Sequence, residues 1–168
     1  ALIRVKNLKK GDSIAKVGEL PNDIFILKEG LIRSFYTDEK GKNYIRHLFT
    51  PFRATGALGA LILSKPSRLS YDCLSDCEVY AINFKEFKEL TSTDLGLANL
   101  YTSVLEIVFL TLESKVYDLS VLNATERYLK LKRQIPNIEN LIPQYHIASF
   151  LNITPVQLSR IRKEIYSK

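Results

Sequence analysis

Residues 143–165 read PQYHIASFLNITPVQLSRIRKEI, and their spacing is that of two short helices joined by a tight turn. In the first, Ile147, Ala148 and Leu151 form an inward stripe with a small residue where a second helix can approach closely. Asn152 stands where the turn needs a left-handed backbone, which Asn tolerates better than most residues other than Gly. Ile153 plugs the corner. Thr154 then caps the second helix, Pro155 suits a first turn in which no N–H is required, and Gln157 reaches back to close a capping box. Leu158, Ile161 and Ile165 face the core and leave Gln157, Ser159, Arg160, Arg162 and Lys163 on the other faces.

A helix with that surface suits a DNA major groove, where Arg bonds guanine through two contacts, Gln bonds adenine, and Lys and Ser hold phosphates. The candidate DNA contacts are Gln144, Thr154, Gln157, Ser159, Arg160, Arg162 and Lys163. Arg160 is the main base reader expected, with Gln157 second and the others supporting the helix or touching phosphate. His146, early in the first helix, reads as a packed or surface histidine, with a phosphate contact the minor alternative. Charge alone would favour a helical hairpin with solvated cations. The small residue at Ala148, the Asn152 turn, the Thr154 cap and the hydrophobic triplet together favour the DNA reader.

Working outward, charge supports this end of the chain. Residues 120–168 carry eight basic against three acidic side chains, whereas the preceding 119 carry sixteen against fifteen. The net charge of +6 is therefore concentrated where phosphate is expected. At 46% hydrophobic, 168 residues can bury a real core. No unbroken apolar run approaches ~20 residues, and ALIRVKNLKKGD is no signal region, so a cytoplasmic protein without membrane association is the default expectation. A start at Ala1 and the absence of Met suggest that leading residues precede this sequence. Cys73 and Cys77 are too few for a four-thiolate metal site and read as small strand residues facing each other across Ser75-Asp76, with redox sensing the minor alternative.

From Ile3 to about Phe84, short apolar runs alternate with turn residues, an all-β texture that implies a jelly-roll-like β-roll. One hairpin is expected at Lys28-Glu29-Gly30 and another at Gly41, whose return strand alternates Tyr44, Arg46 and Leu48 against Ile45, His47 and Phe49. His47 reads as a packed or surface histidine rather than a haem ligand. Residues 95–119 form the longest helical pattern, apolar nearly all round, and Leu105, Val108, Leu112 and Leu119 keep the spacing of a coiled-coil seam. So small a chain has little left to bury the second side of that helix, which points to a homodimer. Asn123-Ala124-Thr125-Glu126 caps a further helix, with residues 120–123 as the hinge before it.

The motif PQxxIAxxLxITPxxLSRIRK resembles the DNA-binding end of Crp/Fnr-type transcriptional regulators, in the form common among Bacteroidetes. Lys10-Gly11-Asp12, Gly18-Glu19, Phe25, Gly30 and Arg33 resemble the opening of the same family's sensor domain, so the likeness covers nearly the whole chain. It implies an α+β protein: a β-roll like a cyclic-nucleotide-binding domain at 1–92, a dimerisation helix at 93–119 and a helix-turn-helix at 120–168. Double-stranded DNA and a second copy are the implied partners, with RNA polymerase a further candidate. Cyclic-AMP-binding members place a Glu and, ten residues on, an Arg around the ribose and cyclic phosphate. The matching positions here are Gly56-Ala57-Leu58 and Ser67, with Arg68 one step off along a strand. Both anchors are missing, so cyclic AMP is not expected as effector and no other cofactor is implied. Pro155 and Val156 replace polar base-reading residues of those members, so their operator is not carried over, and no β-wing is expected after the last helix. The rival reading is a ligand-binding or protein-docking β-roll without DNA binding. No paired carboxylates, catalytic triad, phosphate loop or metal cluster supports an enzyme.

Overall fold

The computed structural model describes residues 2–167; Ala1 and Lys168, the outer ends of the first and last expected regions, lie outside the described residues. The turn-punctuated N-terminal half forms eight strands, β1 (Ile3–Leu8), β2 (Ser13–Ala15), β3 (Asp23–Glu29), β4 (Ile32–Thr37), β5 (Asn43–Phe49), β6 (Arg53–Thr55), β7 (Ser70–Cys73) and β8 (Cys77–Asn83). They make two four-stranded antiparallel sheets, ordered β1-β8-β3-β6 and β2-β7-β4-β5. Phe25, Leu27, Val79 and Ala81 of the first sheet pack with Ile32 and Cys73 of the second, the alternation of each strand sending one face inward.

The expected hairpin at Gly30 is not one. β3 pairs with β8 and β6, whereas β4 pairs with β5 and β7, so the chain at Gly30 crosses from one sheet to the other. That crossing is tight: Gly30 has φ +102°, and a Cβ there would lie 2.5 Å from the Asp76 carbonyl and from Cys77 Sγ. The hairpin at Gly41 does form, pairing Tyr36 with Tyr44 and Thr37 with Asn43. Its strict alternation fails, because the register shifts beside Arg46 and Ile45 and Leu48 both reach the core.

α1 (Leu58–Leu63) and α2 (Phe84–Leu90) close over the outer face of the first sheet, where Leu61, Phe84 and Phe87 bury Ile24 and Ile82. α3 (Leu95–Val121) follows, two residues longer than its sequence pattern at the C-terminal end. The hinge is shorter than expected: only Leu122 and Asn123 separate α3 from α4 (Ala124–Gln134), which carries the expected Asn123/Glu126 capping box. α3 is long enough to cross a bilayer and holds an 18-residue window of mean hydropathy 1.6, although scattered polar residues keep it from being an unbroken apolar run. Its half-buried Lys115, bound to a carbonyl of the same chain, ties it instead to the protein.

The last helices are α5 (Ile138–Leu141), α6 (Gln144–Phe150) and α7 (Pro155–Tyr166). They pack directly against the β-roll. Tyr128, Leu131, Ile138, Ile147, Leu158 and Ile161 share one core with Leu31, Ile45, Leu48 and Leu74 of the β-roll. Burying each such leucine or isoleucine fully contributes about 2 kcal/mol, so the junction is a strong one. Ser149 of α6 completes it: its hydroxyl accepts from Ile45 N–H at 3.0 Å and donates to the Asn43 carbonyl at 2.8 Å, covering the free edge of β5.

Candidate nucleic-acid interface

α6 and α7 meet through the turn the sequence predicts. Asn152 has φ +55°, and Ile153 N–H reaches back to the Ala148 carbonyl at 3.0 Å. Ala148 and Leu158 are fully buried, so the two helices are in close contact along the small residue. Thr154 Oγ1 accepts from Gln157 N–H at 3.1 Å while Gln157 Oε1 accepts from Thr154 N–H at 2.9 Å. The capping box thus engages the Gln157 carbonyl oxygen and leaves only its amide N–H₂ for a partner.

Around that frame the candidate contacts divide. Thr154, Gln157, Ser159, Arg160 and Lys163 are exposed, and neither Arg160 nor Lys163 has an ion-pair partner among the described residues. Gln144 is half-buried at the first position of α6. A groove of about 560 Å³ runs between the N-terminus of α4 and α7, lined by Asn123, Thr125, Gln157, Arg160, Ile161 and Glu164. Arg162 is placed differently from its expected phosphate role. Its Nε lies 2.6 Å from Glu139 Oε1, shielded from water and without the alignment of a straight hydrogen bond, so charge holds the pair. His146 is a packed histidine rather than a phosphate contact: it is buried, and Arg33 Nη1 donates to its Nδ1 at 3.1 Å. Burial, with the Arg33 charge second, brings the His146 pKa down to about 4 and keeps the ring neutral.

Sequence reasoning missed three groups that hold these helices. Arg33, buried on β4, makes a two-pronged pair with Asp72 of β7 at 2.7 and 2.9 Å and stacks over Phe35 while it binds His146. Lys115 of α3 and Arg127 of α4 donate to the Phe150 and Leu151 carbonyls, satisfying the end of α6 where cations are favoured. The third group centres on Glu139 of α5. It accepts from Tyr128 Oη and Tyr166 Oη, each at 2.6 Å, and faces Lys132 Nζ at 3.4 Å as well as Arg162. Burial alone would raise its pKa; the two phenols and two cations outweigh that and bring it to about 2. No local signal announces any of the three, since their members lie up to 113 residues apart.

In the β-roll, Ala57 is buried as the residue before α1, and Ser67 is buried and self-contained. Ser67 Oγ donates to the Leu69 carbonyl at 2.6 Å, while its backbone exchanges hydrogen bonds with Gly18 and Glu19. Arg68 is exposed. A cavity of about 250 Å³ lies between β1, β2 and β3, lined by Lys6, Ser13, Lys16, Glu19, Asp23, Phe25 and their neighbours, and by none of Gly56, Ala57, Leu58, Ser67 or Arg68. His47 packs against Phe49 at 4.5 Å, and burial followed by the charges of Lys115, Arg53 and Arg46 brings its pKa to about 4. Cys73 and Cys77 are buried free thiols, and burial pushes Cys73 up to about 12, far from a reactive thiolate.

The sequence profile of the cyclic nucleotide-binding domain matches residues 5–94, more than half of the chain. The chain belongs to the cyclic nucleotide-binding domain family. Solved structures extend the likeness of fold beyond the domain to the whole chain. FixK2 of Bradyrhizobium japonicum superposes with a TM-score of 0.83 at 18% identity, over 99% of this chain and 86% of that one. The c-di-GMP-responsive global regulator CLP of Xanthomonas campestris gives 0.75 at 13% identity, over 99% and 87%. A protein of Eubacterium rectale described as a Crp/Fnr-family transcriptional regulator gives 0.79 at 14%, over 98% and 79%. A comparison with curated proteins found no match.

Beside the cyclic nucleotide-binding domain, α3 revises the expected seam. Tyr101, Val104, Val108, Thr111 and Lys115 form a half-buried stripe anchored at Tyr101 on Phe84 and Phe87 and at Lys115 on Phe150, so Val108 faces its own chain. Leu105, Phe109, Leu112, Val116 and Leu119 follow one another at steps of four and three, with Phe109 and Val116 64% and 65% exposed. Phe109 and Val116 thus stand exposed on the stripe of Leu105, Leu112 and Leu119, whereas Val108 is half-buried on the neighbouring one.

Proposed function

We propose that the protein is a homodimeric, cytoplasmic transcription regulator of the Crp/Fnr type, in which α6 and α7 act as a helix-turn-helix and α7 enters the major groove. One observation carries this reading: Arg160 and Lys163 stand exposed and, among the described residues, unpaired on a helix whose opposite side, Leu158 and Ile161, is locked in the core. Arg160 reads bases, the Gln157 amide N–H₂ reaches a base edge or phosphate, and Thr154, Ser159, Lys163 and Gln144 contact the backbone. Two chains joined along Leu105, Phe109, Leu112, Val116 and Leu119 place their recognition helices about one DNA turn, ~34 Å, apart on a roughly palindromic site.

The effector is not cyclic AMP in this reading, because Ala57 and Ser67 offer neither the carboxylate nor the guanidinium that a ribose and a buried phosphate require. Calorimetric titration is expected to give no micromolar binding of cyclic AMP. Selection of bound fragments from random DNA tests the central claim and supplies the operator. Affinity for that operator should fall steeply with added salt, and Arg160→Ala should weaken it about 10- to 100-fold. A salt-independent interaction, or an Arg160→Ala variant that binds as well as wild type, overturns the proposal.

A further inference from the structure

Arg162 and Tyr166 lie four residues apart on one flank of α7 and converge on the same carboxylate. Glu139 also ties in Tyr128, which is fully buried on α4, and Lys132 from the last turn of that helix. One anion therefore joins α4, α5 and the C-terminal half of α7. Arg162 lies beside Arg160 and Lys163 in sequence, yet its Nε has no access to solvent. Its side chain is 34% exposed, so a phosphate could meet only the outer end of a guanidinium whose charge Glu139 already balances.

We infer that Glu139 is a positioning residue for DNA recognition, which fixes the seating of α7 through Arg162 and Tyr166 and withholds Arg162 from the DNA backbone. The inference rests on the DNA-binding reading above and adds a specificity device to it. Phosphate contacts strengthen binding to every sequence alike, whereas base contacts discriminate. Sequestering one cation of the recognition helix lowers non-specific affinity without touching the base readers, and holding the helix end keeps Arg160 aimed.

The test measures binding against salt for a selected operator and an unrelated duplex. Arg162→Gln should leave the slope of log affinity against log salt unchanged on both, because no phosphate contact is lost. A slope reduced by about one would show that Arg162 touches phosphate, and overturns the inference. Glu139→Gln keeps the shape of the side chain but leaves Arg162 and Lys132 without a counterion. Its slope on the unrelated duplex should steepen by about one, its non-specific affinity should rise several-fold, and its preference for operator should narrow. Glu139→Gln/Arg162→Gln should return the slope to the wild-type value. A purely structural role for Glu139 would weaken both duplexes in proportion to the folded fraction, with the slope unchanged, and that result also overturns the inference. Arg162→Gln decides the question should Glu139→Gln fail to fold. A wild-type chain that binds no duplex at all fails the DNA-binding reading itself, an outcome separate from these.

Discussion

His146 and His47 are held neutral by burial against cations, and each therefore makes stability depend on pH. Their folded pKa values, about 4, lie below the ordinary 6.5. Between these values the unfolded chain binds protons that the folded chain refuses, so stability is full above 6.5 and falls as the pH drops toward 4. The upper bound is about 3 kcal/mol per histidine. Glu139 acts in a separate window: its depressed pKa preserves stability above about 4.5, which is lost as the pH falls toward 2. Thermal melts at pH 7, 5.5 and 4.5 should show a falling midpoint, and His47→Phe, which keeps an aromatic ring against Phe49, should make the fall shallower. An equal fall in that variant would mean that His47 is not held neutral.

The end of each element is chemically specified where it bears on the proposed interface. α7 begins with the Thr154/Gln157 box and Pro155, so two of its first N–H groups are satisfied and one donor is absent by chemistry. Thr154→Ala should cost about 1 kcal/mol in urea unfolding, and Thr154→Ser should restore most of it. A Thr154→Ala chain as stable as wild type would show that packing of Leu158 and Ile161 alone sets the start of the helix. At the other end of the turn, α6 has its carbonyls held by Lys115 and Arg127, which come from the two helices flanking the hinge. Helix positions on either side of Leu122 and Asn123 are thereby coupled to the orientation of α6. Burial brings the Lys115 pKa to about 8, so this clamp is an ammonium kept in a costly place for the sake of that carbonyl.

Across the whole molecule, the β-roll and the C-terminal helices are one packed unit, and α3 is the one helix among the described residues without a buried residue. Phe109, Leu112 and Val116 stand exposed along one stripe of a 27-residue helix, an arrangement that asks for a partner stripe. Phe109→Lys should convert a sedimenting dimer to monomer, with operator affinity falling to that of a half-site. Val108→Ala, on the inward stripe, should lower thermal stability without shifting the dimer equilibrium. The reverse pattern would place the seam on the stripe of Val108.

The determinants that residues 143–165 carry in themselves are local: the capping box, the left-handed Asn152, the small Ala148 and the apolar triplet each act within a few residues, so spacing alone exposes them. The same holds for the turn at Gly41 and the α4 capping box. Tertiary structure decided what depends on distant neighbours. β3 and β4 separate into different sheets because β8 and β7 supply better partners than each other's edge. Val108 turns inward while Phe109 stays out because the two ends of α3 are anchored on Phe84, Phe87 and Phe150. Arg162, read from its helix as one more free cation, is neutralised by a carboxylate 23 residues away in sequence, since charge pairing follows distance in space and the sequence orders it only along the chain.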